Sequence, residues 1–378
     1  MAVDPAASGA WPVRITGNVK IFGENAVIDG FEFDGDYNAI RNYASQITFQ
    51  NNYIHTSSSD CVRNSAVHYP GGELNTEISF IGNTITSCGE DAIDNTGARD
   101  VIIRGNDISN FITMQIKGGT ENILIEGNSI HGSGSLFSGN NMGCTSSYCG
   151  SPALLELPVP DRFVAKNVII RNNLFYNLSS SASTGIKMNG WKDSYVYNNT
   201  FYKLGNSWAI LLQGNTAGLN YFDSIAANYC KNNPGECSSC GSGCYTLKHD
   251  PDNIQIKNNI FLYHDQMASL DSASTNISFS NNIYWNGGSA ISFNERGTTR
   301  YGLSNFTLES NSYQQDPELN DPNNQDFTPH AGSIAIDNGT PINITSGFGD
   351  SNADSSPDIG AIQHAHKSPP SAVTLNVL

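Results

Sequence analysis

Four short phrases of this chain repeat one arrangement of charged residues. In Cys61-Val62-Arg63-Asn64, Ala92-Ile93-Asp94-Asn95, Gln115-Ile116-Lys117-Gly118 and Gly185-Ile186-Lys187-Met188, the residue after an apolar one is Arg63, Asp94, Lys117 or Lys187. Three positions before Arg63 and Asp94 stand Asp60 and Asp91, and Glu90 precedes Asp91. Carboxylates spaced Glu-Asp-x-x-Asp, joined by Asp60 from the preceding phrase, are hard oxygen donors of adaptable geometry, which suits Ca²⁺ better than zinc or magnesium. A lysine among other cations has its ammonium form disfavoured and becomes a candidate base, whereas an arginine stays charged and suits a substrate carboxylate. Lys117 is the first candidate base, Lys187 the second and Lys192 the third, and Arg63 is the candidate carboxylate binder. An outward strand neutralised by ion pairs is the plainer explanation. Charged residues make up only 14% of the chain, however, so such a concentration needs a reason.

The elements that position these residues follow from a repeat. An alternation of apolar and polar residues followed by Gly-Asn or Asn-Asn appears at Ile47 to Asn52, Ile78 to Asn83, Val101 to Asn106, Ile123 to Asn128, Val168 to Asn173, Tyr195 to Asn199, Ile254 to Asn259 and Ile277 to Asn282, and more loosely at Phe306 to Asn311. The shortest steps between phrases are 22 and 23 residues. Period-two alternation means strands, and short strands repeated in one direction at this interval predict a single all-β domain, a right-handed parallel β-helix of roughly 10 to 12 coils. Each coil then contacts only its neighbours over a continuous apolar column. The recurring Asn has a structural role in such a solenoid, because Asn tolerates left-handed backbone and stacked amides bond from coil to coil. Alternation turns the charged column outward, onto one face of consecutive coils about 5 Å apart.

Two insertions interrupt the array, at about 132–162 with Cys144 and Cys149, and at about 215–252 with Cys230, Cys237, Cys240 and Cys244. Long loops on a compact solenoid are expected to bind rather than to support the core. The second set of cysteines has a spacing that zinc would accept, but a Gly/Ser-rich loop without a core calls for disulfides first. Cys61 and Cys88 lie about one coil apart and are expected to clamp adjacent coils. The β-helix domain is expected to span residues 1–366, with 367–378 as a tail or linker.

Composition narrows the partners. Nineteen Lys and Arg against 35 Asp and Glu leave a formal charge of −16, which argues against nucleic acid and anionic membranes. No apolar run reaches the 18 or so residues that cross a bilayer. Eight Cys and sequons at Asn177, Asn198, Asn276, Asn305, Asn338 and Asn343 point to an oxidising, extracellular setting. The start, MAVDPAASGAWPV, has no basic region followed by an apolar core, so the expectation is a secreted monomer written without its leader.

The cluster Gly89-Glu90-Asp91-Ala92-Ile93-Asp94, with Ser59-Asp60 before it and Ile116-Lys117 after it, resembles the calcium site and catalytic lysine of the family-nine pectate lyases, with Glu90 standing where that family has Asp. The resemblance in coil architecture runs over roughly residues 20 to 315. It implies a secreted enzyme that cleaves a uronic-acid polymer, pectate or alginate among them, by β-elimination. Asp60, Glu90, Asp91 and Asp94 would hold Ca²⁺, Lys117 or Lys187 would take the proton, and Arg63, Lys192 and Trp191 would bind the acidic polysaccharide. Two other readings stay open. A β-helix glycoside hydrolase would use Asp60, Asp91 and Asp94 as paired carboxylates without metal. A non-catalytic carbohydrate-binding surface protein would present an aromatic stripe, for which Tyr176, Trp191, Tyr197 and Tyr202 are the candidates.

Overall fold

The computed structural model describes residues 13–64, 75–132, 163–178, 185–205, 208–214, 250–342 and 356–363, with the backbone of the strands Phe137–Ser138, Asn215–Leu219, Cys237–Ser239 and Tyr245–His249 and the isolated positions 232, 233, 344 and 348. The chain winds as a parallel β-helix. It passes in turn through three sheets, here called A, B and C, each of which contributes one strand per coil. Sheets A and C contain ten parallel strands each, and sheet B has ten and an eleventh, Thr298–Tyr301, that folds back antiparallel on Ser292–Glu295. Ten coils result among the described residues, numbered here from the N-terminal end. Apart from the 3₁₀ turns Leu303–Asn305 and Pro322–Asn324, the named elements are strands, and no helix among the described residues is long and apolar enough to cross a membrane.

The interior is a column of like on like. Ile47, Ile78, Val101, Ile123 and Val168 stand in register on sheet C, all fully buried. Phe175, Phe201, Phe261 and Tyr284 stack through four successive coils at centroid spacings of 4.8, 4.8 and 5.1 Å. The Gly-Asn and Asn-Asn phrases divide the work between their two residues. The first takes the left-handed conformation, as at Asn51 (φ 51), Gly82 (φ 62), Gly105 (φ 63), Asn172 (φ 55) and Asn258 (φ 54). The second, buried, forms the ladder Asn52, Asn83, Asn106, Asn128, Asn173, Asn199, Asn259 and Asn282, each Nδ2 donating to the next Oδ1 at 2.8 to 3.1 Å.

The second insertion leaves sheet B after Ile210–Gln213 and contains a three-stranded antiparallel sheet. The expected bonds of Cys144, Cys149, Cys230, Cys237, Cys240 and Cys244 lie outside the described residues, as does the tail 367–378. Past the last coil the chain turns back along the outside of the helix. Phe327, Ala335 and Ile359 cover Tyr176, Tyr202, Ile260 and Ile283, and Ile342 covers Leu124, Ile169 and Tyr197.

Candidate active site on sheet B

The charged residues gather because three coils turn onto sheet B by the same local device. Asn38 to Arg41, Asp60 to Arg63 and Asp91 to Asp94 each enclose two consecutive buried residues: Ala39-Ile40, Cys61-Val62 and Ala92-Ile93. Two inward residues in a row break strict alternation and bring the polar residues at either end together. Arg63 Nε accordingly lies 2.7 Å from Asp60 Oδ2 and 3.5 Å from Asp94 Oδ2. The following coil has only Met114 between Thr113 and Gln115, so the register slips between Asp91 and Asp94. Asp94 therefore pairs with Gln115, and Lys117 falls opposite Thr96. This corrects the expected column, in which Lys117 stood directly beyond Asp94. The long side chain still reaches back, with Nζ 3.2 Å from Asp94 Oδ1.

Coils three and four are held tightly here. The Cys61–Cys88 disulfide joins them, with the Cα atoms 5.3 Å apart, as expected from the spacing. Gly89 is required by close approach: a Cβ there would sit 2.4 Å from the Ser58 carbonyl oxygen. That proximity lets Glu90 N donate to Ser59 O at 2.8 Å and Ser59 Oγ donate to Glu90 Oε2 at 3.0 Å. Below them Asp60 is fully buried and accepts from Asn38 Nδ2 at 3.2 Å and from Asp91 N at 3.4 Å.

Asp60, Glu90 and Asp91 each offer a carboxylate oxygen within 4.8 Å of the others, the one such group of metal-binding side chains among the described residues. Burial, reinforced by the neighbouring Asp94 and Asp60 charges, pushes the Asp91 carboxyl up to about 8. Burial, together with Asp94 and Glu90 and against the pull of Arg63, pushes Asp60 up to about 6. Asp91 Oδ1 is buried without a hydrogen-bond partner among the described residues. This donor set fits a divalent cation with a preference for oxygen ligands, which would offset the repulsion and engage the orphaned oxygen. Asp94 was expected among the ligands, but its oxygens face Lys117, Arg63 and Thr96 Oγ1, the last at 2.9 Å.

The other expected residues are scattered. Lys187 lies on sheet B in register with Gln115 by way of Ser138, two strands away and thus about 10 Å. It is half-buried, makes no ion pair among the described residues, and burial lowers its pKa. Lys192 is on sheet C, between Lys166 and Asp252. Trp191, expected at the substrate surface, is fully buried in the core beside Ala165. Asp193 takes the left-handed conformation (φ 48) and resets the alternation, so counting back by twos from Val196 assigns Trp191 to the wrong side. Tyr176, Tyr197 and Tyr202 do lie outside the helix, but the returning C-terminal segment covers them, so no aromatic stripe is exposed there.

Three features were missed in the sequence. Asn38 bonds to Asp60, and Arg41 stands in register with Arg63. A second buried ladder, Asn42 to Asn64 to Asn95, locks the strands that carry the site, each bond 3.0 Å long. The recurring triplets Ile40-Arg41-Asn42, Val62-Arg63-Asn64 and Ile93-Asp94-Asn95 carried that signal.

No family model matches the sequence, and no curated protein matches it. Among solved structures the chain is similar to pectate lyase Pel9A, at 14% identity and a TM-score of 0.35 over 92% of this chain and 77% of that one. It is also similar to the Dettilon tailspike protein, at 14% identity and a TM-score of 0.41 over 82% of this chain and 56% of that one. The alginate lyase AlyGC of the PL6 family matches at 10% identity and a TM-score of 0.28, over 84% of this chain and 51% of that one. At such values the likeness is one of chain path.

Proposed function

We propose that the sheet B face of coils three to seven is the active site of a secreted lyase that cleaves a uronic-acid polysaccharide by calcium-assisted β-elimination. The observation that carries this reading is the position of the Lys117 amine, 3.2 Å from Asp94 Oδ1, at the edge of a carboxylate triad whose oxygens lie within 4.8 Å of one another. Asp60, Glu90 and Asp91 would hold the Ca²⁺. A bound Ca²⁺ supplies stabilisation of the negative charge that develops on the substrate carboxylate.

The rest of the chemistry belongs to this chain. Lys117 takes the proton from C5 beside that carboxylate onto the Nζ lone pair. The C5–H electrons form the C4–C5 double bond, the C4–O bond to the leaving sugar breaks, and the departing oxygen takes up a proton. Asp94, which accepts from Thr96 Oγ1, holds the lysine side chain in place. Arg63, one quarter exposed and anchored on Asp60, offers a permanent charge to a substrate carboxylate. Lys187 is the second reading for the base, favoured by its lowered pKa and its freedom from ion pairs among the described residues.

A hydrolase reading fares worse, because Asp60 and Asp91 are buried side by side in the floor and cannot flank a glycosidic bond. The acidic protein is suited to an acidic polysaccharide only where cations line the site, and not to nucleic acid. A disulfide fits a secreted protein, and the enzyme would act as a monomer.

Unsaturated product formation from polygalacturonate and alginate tests the reading. Lys117→Ala should lower kcat by about 10² to 10⁴-fold with substrate binding nearly intact, and Lys187→Ala should mainly raise KM. The opposite pattern transfers the base role to Lys187, and full activity in both variants overturns the lyase.

A further inference from the structure

The cationic side of sheet B does not stop at Arg63. Lys20, Arg41 and Arg63 are Cα partners on three consecutive coils, followed in the same column by Asp94. Parallel strands stand about 4.8 Å apart, so three positive charges are stacked one per coil, and like charges placed opposite each other are destabilising unless something neutralises them. Arg63 has Asp60 and Asp94. Lys20 and Arg41 have no ion pair among the described residues, in a chain with 35 acidic residues and a formal charge of −16. A protein so acidic has partners to spare for these cations, yet no ion pair to either forms among the described residues.

Arg41 is also held in place. Its Nε donates to Asn38 Oδ1 at 2.6 Å, and Asn38 in turn donates to Asp60 Oδ2 at 3.2 Å, so the guanidinium is tied to the floor of the acidic triad through one amide. Its charged end lies 5.8 Å from the centre of the Tyr37 ring, and that tyrosine is 53% exposed. An exposed aromatic face beside a fixed guanidinium is the surface that a charged sugar ring recognises, by stacking and by a carboxylate contact together. Lys20 is exposed on the next coil outward, on a strand whose flanking Val19 and Ile21 pack against the core.

We propose that Lys20 and Arg41, with Tyr37, form binding rungs that take successive carboxylates of a polyuronate chain lying along sheet B, on the N-terminal side of the acidic triad. This rests on the lyase reading for the identity of the ligand, but the binding step is separable from the chemistry. The rung spacing is comparable to the length of one sugar ring, so each added uronate gains one cation until the column ends at Lys20. Affinity therefore grows with oligomer length and falls with salt, because each contact is a screened ion pair.

Calorimetric titration of the full chain with trimers and hexamers of galacturonate and of mannuronate, at low and high salt, tests this. The double variant Lys20→Gln/Arg41→Gln should bind a hexamer about tenfold more weakly, with a flatter salt dependence and a smaller gain in affinity from trimer to hexamer. Arg41→Lys should recover less than half of the loss, since the planar fork held by Asn38 is missing. Unchanged hexamer affinity in the double variant, or no hexamer binding by the wild type, overturns the rungs. Rung-dependent binding without any unsaturated product keeps them and overturns only the lyase chemistry.

Discussion

At Asp91 the proposed Ca²⁺ would compete with a proton. Its folded carboxyl is raised to about 8 from an ordinary 3.8, so between those values the native state holds a proton that the unfolded chain has lost. The metal-free protein must then lose stability as pH rises from about 4 to about 8, and Asp60, raised to about 6, adds to the lower part of that window. Calcium bound at the triad would displace these protons, so affinity should climb over the same range. Thermal melts in chelator should show a falling melting temperature with rising pH, and Asp91→Asn should flatten that fall while weakening calcium binding. An unchanged slope in Asp91→Asn would remove Asp91 from the site. At this scale the sequence carried residue types better than positions. Asp60 and Asp91 were readable from their spacing, because they sit at the same point of consecutive coils, and Glu90 because it adjoins Asp91. The placement of Lys117 opposite Thr96 was hidden, since the extra inward residue of the Asp91–Asp94 coil, Ala92 beside Ile93, is absent from the next coil and leaves no mark in the apolar pattern. Trp191 was misassigned for a related reason, a left-handed residue inside a strand. The sequon at Asn198 is similarly defeated by burial: that side chain is fully enclosed and donates to Asp358 O at 2.6 Å.

Among the elements, the bends matter more than the strands. Each ladder Asn spends both ends of its amide: Asn106 Nδ2 donates to Phe80 O and Asn128 Oδ1, while its Oδ1 accepts from Asn83 N and Nδ2. Replacing it by Ala leaves several buried groups without partners, at about 1 to 3 kcal/mol each. Asn106→Ala should thus cost about 3 kcal/mol or more in denaturant melts. Asn51→Ala, an exposed left-handed position, should cost about 1 kcal/mol, the strain of that backbone for a residue with a Cβ. Equal losses would show that the two Asn of a phrase do not have separate roles. The repeat was legible because both roles tolerate few residue types. The last strand of sheet C carries a different device. Glu309, half-buried beside Tyr284, accepts its hydroxyl at 2.6 Å and is pushed up to about 7 by desolvation. The native state keeps the proton above the ordinary 4.5, so this strand loosens as pH rises from about 4.5 to about 7. Glu309→Gln, which stays neutral, should remove that part of the pH dependence, read as a smaller drop in melting temperature; an identical drop would refute the assignment.

On the scale of the whole molecule, the period of 22 and 23 residues was enough to specify a parallel solenoid, since a strand that short can bury its apolar side only by stacking on the next coil. What the period could not convey was the path after the last coil. Phe327, Ile342 and Ile359 carry no repeat signature, and their partners, Tyr176, Tyr197 and Tyr202, looked like a sugar-binding stripe because nothing local marks them as covered. With that stripe enclosed, sheet B is left as the surface where charge, buried carboxylates and amines meet, and the reaction assigned to it is elimination rather than hydrolysis. The two differ by a molecule of water in the products. Mass spectrometry of the fragments released from polygalacturonate and alginate, in calcium and in chelator, therefore tests the central claim most directly. The account predicts fragments whose new ends are unsaturated and lack the mass of water, formed in calcium and lost in chelator. Saturated fragments that have gained water, or no fragments from any polyuronate in calcium, would contradict it.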